Sequence, residues 1–133
     1  MTGLVLKLGP RERVLINGAV IENGDRRSRI NIVTPNVKIL RLRDAIHPDD
    51  VSTPVQKVCY VVQLILSGDT TPEVVRADMI DRIEELSQVF RDSDSRRLIS
   101  DASSAFVGKN FYQCLKALRA LLPREERLIQ RGR

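Results

Sequence analysis

One histidine, two cysteines and a cluster of arginines are the residues of this chain whose types and spacing could carry chemistry. His47 stands in "IHPDD" beside Asp49 and Asp50, a base with carboxylates that would suit acid–base work or a cation site. No serine or cysteine nucleophile is set against it by a recognisable motif, and a loop rich in Pro and Asp more often links and caps the helix that follows. "DSDS" at residues 92–95 has a calcium-like alternation but lacks the glycine and terminal glutamate of an EF-hand loop. It reads better as a helix connection with Ser or Asp as the N-cap. Cys59 and Cys114 fall in apolar, helix-like stretches with no CxxC, so they read as reduced core residues, and a single histidine completes no zinc set. No phosphate-binding glycine motif occurs. These readings predict a protein that is not an enzyme, with no metal and no cofactor.

The arginines carry the stronger signal. "NGDRRSRI" sets Arg26, Arg27 and Arg29 directly after Asn23, Gly24 and Asp25, and Arg41 and Arg43 repeat the spacing of two. Residues two apart on a strand project from one face. A guanidinium is a planar fork that binds phosphate in bidentate fashion while its plane stacks on a base. Arg26, Arg27, Arg29, Arg41 and Arg43 are therefore the candidate contacts for a polyanion. The plainer reading is an exposed hairpin kept soluble by charge, its edge arginines discouraging sheet aggregation. Aromatic residues make up only 4% of the chain, so any contact with unpaired bases would rest mainly on arginine. The net charge of +5 is uneven: residues 1–43 hold nine Lys and Arg against three Asp and Glu, whereas residues 44–122 hold nine against twelve. The basicity is concentrated in the N-terminal third and the tail, which favours a polyanion contact there.

The elements that must position these residues follow two periods. In the first 43 residues, Leu4, Leu6 and Leu8 alternate with Val5 and Lys7, and short β-branched runs follow, punctuated by Asn17-Gly18, Asn23-Gly24 and Pro35-Asn36. Asn-Gly tolerates the positive φ of a type I′ hairpin turn. Strand-like runs flank Asn23-Gly24 on both sides, so it is the predicted hairpin, with Asn17-Gly18 read as a bulge or bend. After "DAIHPDDVSTP" the period becomes helical. Thr53-Pro54 and Thr71-Pro72 start helices by capping hydroxyl and N1 proline, the first running to Ser67-Gly68. Val75, Met79, Ile83, Leu86 and Phe90 stripe the second helix, and Leu98, Ile99, Ala102, Ala105 and Phe106 the third, before Gly108. A fourth spans about residues 110–122 and stops at Pro123, leaving a charged tail. The predicted fold is α+β: a small N-terminal antiparallel sheet of four or five strands over residues 1–46, then a bundle of about four helices over residues 47–133.

A sheet segment of this size is marginal alone, so it must lean on the helices or on a second copy, and a homo-oligomer is expected. The most apolar stretch, residues 55–66, is too short for a bilayer and includes Gln56, Lys57 and Gln63. With no signal-peptide pattern at the N-terminus, a soluble, cytoplasmic protein is expected.

Three segments, "LINGAVIENGDRR", "DAIHPDDVSTPVQKVCYVVQLIL" and "FYQCLKALRALLPRE", resemble the FlbT family of bacterial flagellar regulators. The resemblance extends over nearly the whole chain, and its most specific part is the stretch from Asn17 through Gly18, Asn23, Gly24 and Asp25 to Arg27. It implies a post-transcriptional regulator of flagellin synthesis acting on the 5′ untranslated region of flagellin messenger RNA. It also implies a link to flagellin itself and to a FlaF-type regulator, so the alternative function is an adaptor that binds such a partner through its helical part. The assignment of RNA contact to the arginines rests on charge and turn geometry alone.

Overall fold

The computed structural model describes residues 3–35 and 37–132. Five strands come first: β1 (Leu4–Leu8), β2 (Arg13–Ile16), β3 (Ala19–Glu22), β4 (Ser28–Ile32) and β5 (Ile39–Arg41). Five helices follow: α1 (Pro54–Ser67), α2 (Pro72–Val89), α3 (Ser93–Val107), α4 (Phe111–Arg119) and α5 (Leu122–Arg131). The α+β expectation holds, with two differences of detail. The strands form two small antiparallel sheets rather than one, β1–β4 and β3–β2–β5. Pro123 sits in the first turn of α5 instead of ending the preceding helix, so there is one helix more than expected. A first-turn proline loses no helical hydrogen bond, because the amide it lacks would have had no partner there.

The hairpin assignment is reversed. Asn17 and Gly18 take φ of 49° and 85°, the two positive values of a type I′ turn, and connect Ile16 directly to its partner Ala19. Gly24 has no positive φ, and β4 leaves β3 altogether to pair with β1. The Pro35-Asn36 turn extends to a residue outside those described.

The sheets face each other. Leu6 and Leu8 of β1 meet Val14 of β2 and Ile39 of β5 in a small core, with Ile30, Ile32 and Tyr112 packed on it. Alternation turns the next residues the other way, and Leu15 and Leu40 join the larger helical core instead. At the centre of that core lies α1, with Val55, Val58, Cys59, Val62, Ile65 and Leu66 all buried. Its start matches the expected pattern: Thr53 Oγ1 accepts from Gln56 N while Gln56 Oε1 accepts from Thr53 N, a reciprocal capping box, and Pro54 follows. Gly68 closes α1 at φ 86°, where a side chain would be strained. On α2, Met79 and Leu86 are buried and Phe90 follows them, as the stripe predicts.

Glu125 supplies the join between the chain's end and this core. Its carboxylate accepts from Val55 N at 2.9 Å and from the Thr53 hydroxyl, so α5 is fastened across the start of α1. No helix described here is long and apolar enough to cross a membrane.

Candidate nucleic-acid interface

The arginine stretch is built around Asn23. Its side-chain amide donates to the carbonyls of Gly9 (2.7 Å) and Arg26 (2.9 Å), and its Oδ1 accepts from Ser28 Oγ (2.7 Å). Its backbone N–H donates to Glu12 O at 2.8 Å, and Gly24 O accepts from Arg11 N at 2.9 Å. Asn23 thus ties the β1–β2 turn, the end of β3 and the start of β4 into one corner. Asp25 closes the corner from outside through Arg11 Nε at 2.8 Å. Asn23 and Asp25 have positioning roles, and what they position is the loop that presents Arg26 and Arg27 to solvent.

Arg29 is exposed on β4, and the register sets it directly opposite Lys7 of β1. Like charges facing each other on adjacent strands repel. Among the described residues, none of Lys7, Arg26, Arg27 and Arg29 makes a side-chain ion pair or hydrogen bond. The other arginines of the sheet half are matched with acids. Arg11 and Arg13 share Glu22 at 3.3 and 2.9 Å, and Arg43 lies 3.5 Å from Glu12 and 3.9 Å from Asp44. The Arg13 guanidinium in particular holds the Glu22 carboxyl below its ordinary range.

Arg41 stands apart from the other arginines of the expected contact surface. Its Nε and Nη2 reach Glu12 at 2.8 and 3.1 Å, and Nη2 also donates to the Lys7 carbonyl. The side chains of Arg41 and Glu12 are only 12% and 7% exposed. Hydrogen bonding by Arg41 pulls the Glu12 carboxyl below its usual range despite burial, and the same bond raises Arg41. The pair bridges the two sheets and is internal structure. Of the five predicted arginines, Arg26, Arg27 and Arg29 are brought together at the start of β4, Arg41 is enclosed, and Arg43 belongs to the β5 end of the other sheet. Lys7 joins the first group. Its only sequence signal is an outward place in the β1 alternation, and its partner strand is not readable from that.

His47 caps its own loop: Nδ1 accepts from Asp49 N at 3.1 Å, over the 3₁₀ turn at Pro48–Asp50. Asp92 caps α3 by accepting from Ser95 N at 2.9 Å, and that backbone bond lowers its pKa. Among the described residues no three His, Cys, Asp or Glu side chains gather where a metal ion could be held. Between α2 and α3 lies an open groove of about 570 Å³, floored by Ile80, Ile83, Ile99 and Phe106.

The chain matches the family described as "Flagellar protein FlbT" over residues 4–129. A probable flagellum biosynthesis repressor protein FlbT from Chelativorans sp. (strain BNC1) is 30% identical over 96% of this chain and 86% of its own. The flagellum biosynthesis repressor protein FlbT of Caulobacter vibrioides (strain ATCC 19089 / CIP 103742 / CB 15) is 28% identical over 92% and 86%. A probable FlbT 1 repressor of Bradyrhizobium diazoefficiens is 32% identical over 94% and 84%. No solved structure matches. With nearly every residue of both sheets and all five helices inside the matched span, the chain belongs to the FlbT family of flagellar proteins.

Proposed function

We propose that this protein regulates flagellin synthesis after transcription by binding the 5′ untranslated leader of flagellin mRNA through the outer face of β1–β4 and the loop before it. Regulation of flagellum biosynthesis follows from the family and from the repressor names of its relatives. The RNA step is supported by one observation above all: among the described residues Lys7, Arg26, Arg27 and Arg29 form no ion pair, while the neighbouring arginines each do. A like-charge pair such as Lys7–Arg29 is relieved by an external anion, and phosphate suits both cations. The test is direct binding of purified protein to leader RNA and, separately, to flagellin, at physiological salt. RNA binding that weakens with salt is the expected result, and binding to flagellin alone rejects the reading.

The α2–α3 groove favours a second reading, in which the helical half engages a helix of flagellin or of a FlaF-type regulator and the effect on mRNA is indirect. Its apolar floor has the character of a helix-binding groove.

A further inference from the structure

The strand β4 runs from the arginine loop into an open cavity of about 530 Å³. Val33 and Val37 wall it beside the sheet, Phe111 walls it from the start of α4, and Lys38, Lys109 and Gln113 supply polar groups. Its charge sets it apart from the α2–α3 groove. That groove is lined by Glu73 and Glu84 as well as Arg76, Arg96 and Lys109, whereas among the described residues the charged groups lining this cavity are Lys38 and the same Lys109, which stands between the two. Neither lysine side chain has an ion-pair partner among the described residues. Position is the second argument. Arg29 and Asn31 are exposed on β4, and Val33, just past the strand's end and 61% exposed, reaches the cavity wall. At about 3.3 Å per residue the path from Arg27 to Val33 covers roughly 20 Å. That is the length of about six stacked nucleotides at 3.4 Å each.

We infer that this cavity receives one unstacked nucleotide of a single strand laid along the β1–β4 face. The inference rests on the RNA-binding reading and extends it to a specific site. Val33, Val37 and Phe111 replace the apolar surface a base loses on leaving its stack. The Gln113 amide presents a donor and an acceptor together, as a base edge requires, and the two lysines face the phosphates. The volume falls within the range of small-molecule sites. A free mononucleotide has the same chemistry. Continuity with the unpaired cations of β4 selects the strand.

The test uses unstructured mixed-sequence oligoribonucleotides from about three to about twelve nucleotides, with adenosine and uridine monophosphate as separate probes. The variant is Lys38→Ala with Gln113→Ala; both side chains are exposed, and circular dichroism checks that it folds. Wild-type affinity should step up once the strand is long enough to reach the cavity. The double variant should lose that step, at least about fivefold on the longer oligonucleotides, and bind the shortest ones unchanged. Identical length profiles for wild type and variant, with Arg26→Ala/Arg27→Ala weakening every length, overturn the cavity and leave the RNA reading standing. No binding of any oligonucleotide or of leader RNA overturns the reading beneath it. A monophosphate that binds as tightly as the strand, and loses binding in the variant, makes this a free-nucleotide site and overturns the strand assignment.

Discussion

Arg41 holds Glu12 across the gap between the two sheets, Nε to Oε2 at 2.8 Å, with both side chains largely removed from water. Glu12 also accepts from Gly9 N at 3.0 Å, so one carboxylate fixes the β1–β2 turn and receives β5 at once. Arg41→Met leaves that carboxylate enclosed with only the exposed Arg43, 3.5 Å away, as counter-charge and should cost about 1 to 3 kcal/mol in urea unfolding. Arg41→Met with Glu12→Leu should recover much of the loss, because an apolar pair of similar size removes the unmet charge. RNA affinity per folded molecule should stay near wild type in both. A large loss of affinity in stably folded Arg41→Met would return Arg41 to the contact surface.

The same pair sets an acid limit. The folded Glu12 carboxyl titrates below its ordinary 4.5, so its contribution is fully present above the unfolded pKa and disappears as pH falls through the lower, folded value. Stability should therefore decline as pH drops below about 4.5. Glu12→Gln, less stable near neutrality, should show a shallower acid limb. Parallel limbs for the two proteins would assign the acid sensitivity to other carboxylates.

Among the described residues the Arg26 and Arg27 side chains have no internal partner, so removing them should leave the fold intact and change only binding. If each neutralises one phosphate of a single strand, Arg26→Ala/Arg27→Ala flattens the slope of log K against log salt by about 1.4. Unfolding free energies should agree with wild type within about 0.5 kcal/mol, the usual range for exposed sites. Lys7→Ala should flatten the slope by a further 0.7 or so. It should also leave stability unchanged or slightly raised, since it ends the opposition with Arg29. An unchanged affinity and slope in the folded double variant would take these two residues out of the interface.

What was legible in the chain depended on how local its cause was. Thr53-Pro54 and Thr71-Pro72 start their helices as read, because a cap is decided within four residues. The two Asn-Gly pairs look alike locally, and strand pairing separates them. Once β4 goes to β1, Asn23 becomes a strut and only Asn17-Gly18 is left to turn a hairpin. Arg41 and Arg43 show the same limit, since spacing places side chains on a face but does not say that Glu12 lies under one of them. Lys7 and Glu125 were missed because their roles depend on partners far along the chain, Arg29 in one case and the start of α1 in the other.

Glu125 gives the charged C-terminal segment a structural role. Its carboxylate meets the Val55 amide, which the start of α1 leaves without a helical partner, and the N-terminal end of the helix dipole favours the negative charge. Glu125→Ala should destabilise the chain by about 1 to 3 kcal/mol, with Glu125→Gln milder because an acceptor remains. Hydrogen exchange at Val55 should quicken in the alanine variant before global unfolding does. Unchanged protection at Val55 would mean that Thr53 and Gln56 cap α1 without α5.

Cys59 and Cys114 are buried in the helical core, and burial pushes both thiols up to about 12. The thiolate is the reactive form, so neither should react with a thiol reagent at pH 8 while the chain is folded. Both should react in strong urea, and in native buffer the rate should follow the opening of the core. The same shift limits stability on the alkaline side. The unfolded thiols lose protons near 9 while the folded ones keep theirs, so this contribution is complete below pH 9 and falls as pH rises toward 12. Cys59→Ala/Cys114→Ala, though less stable at pH 7, should lose less between pH 9 and 10.5 or so than wild type does. Rapid labelling of either thiol in the native chain would contradict the enclosed core on which both expectations depend.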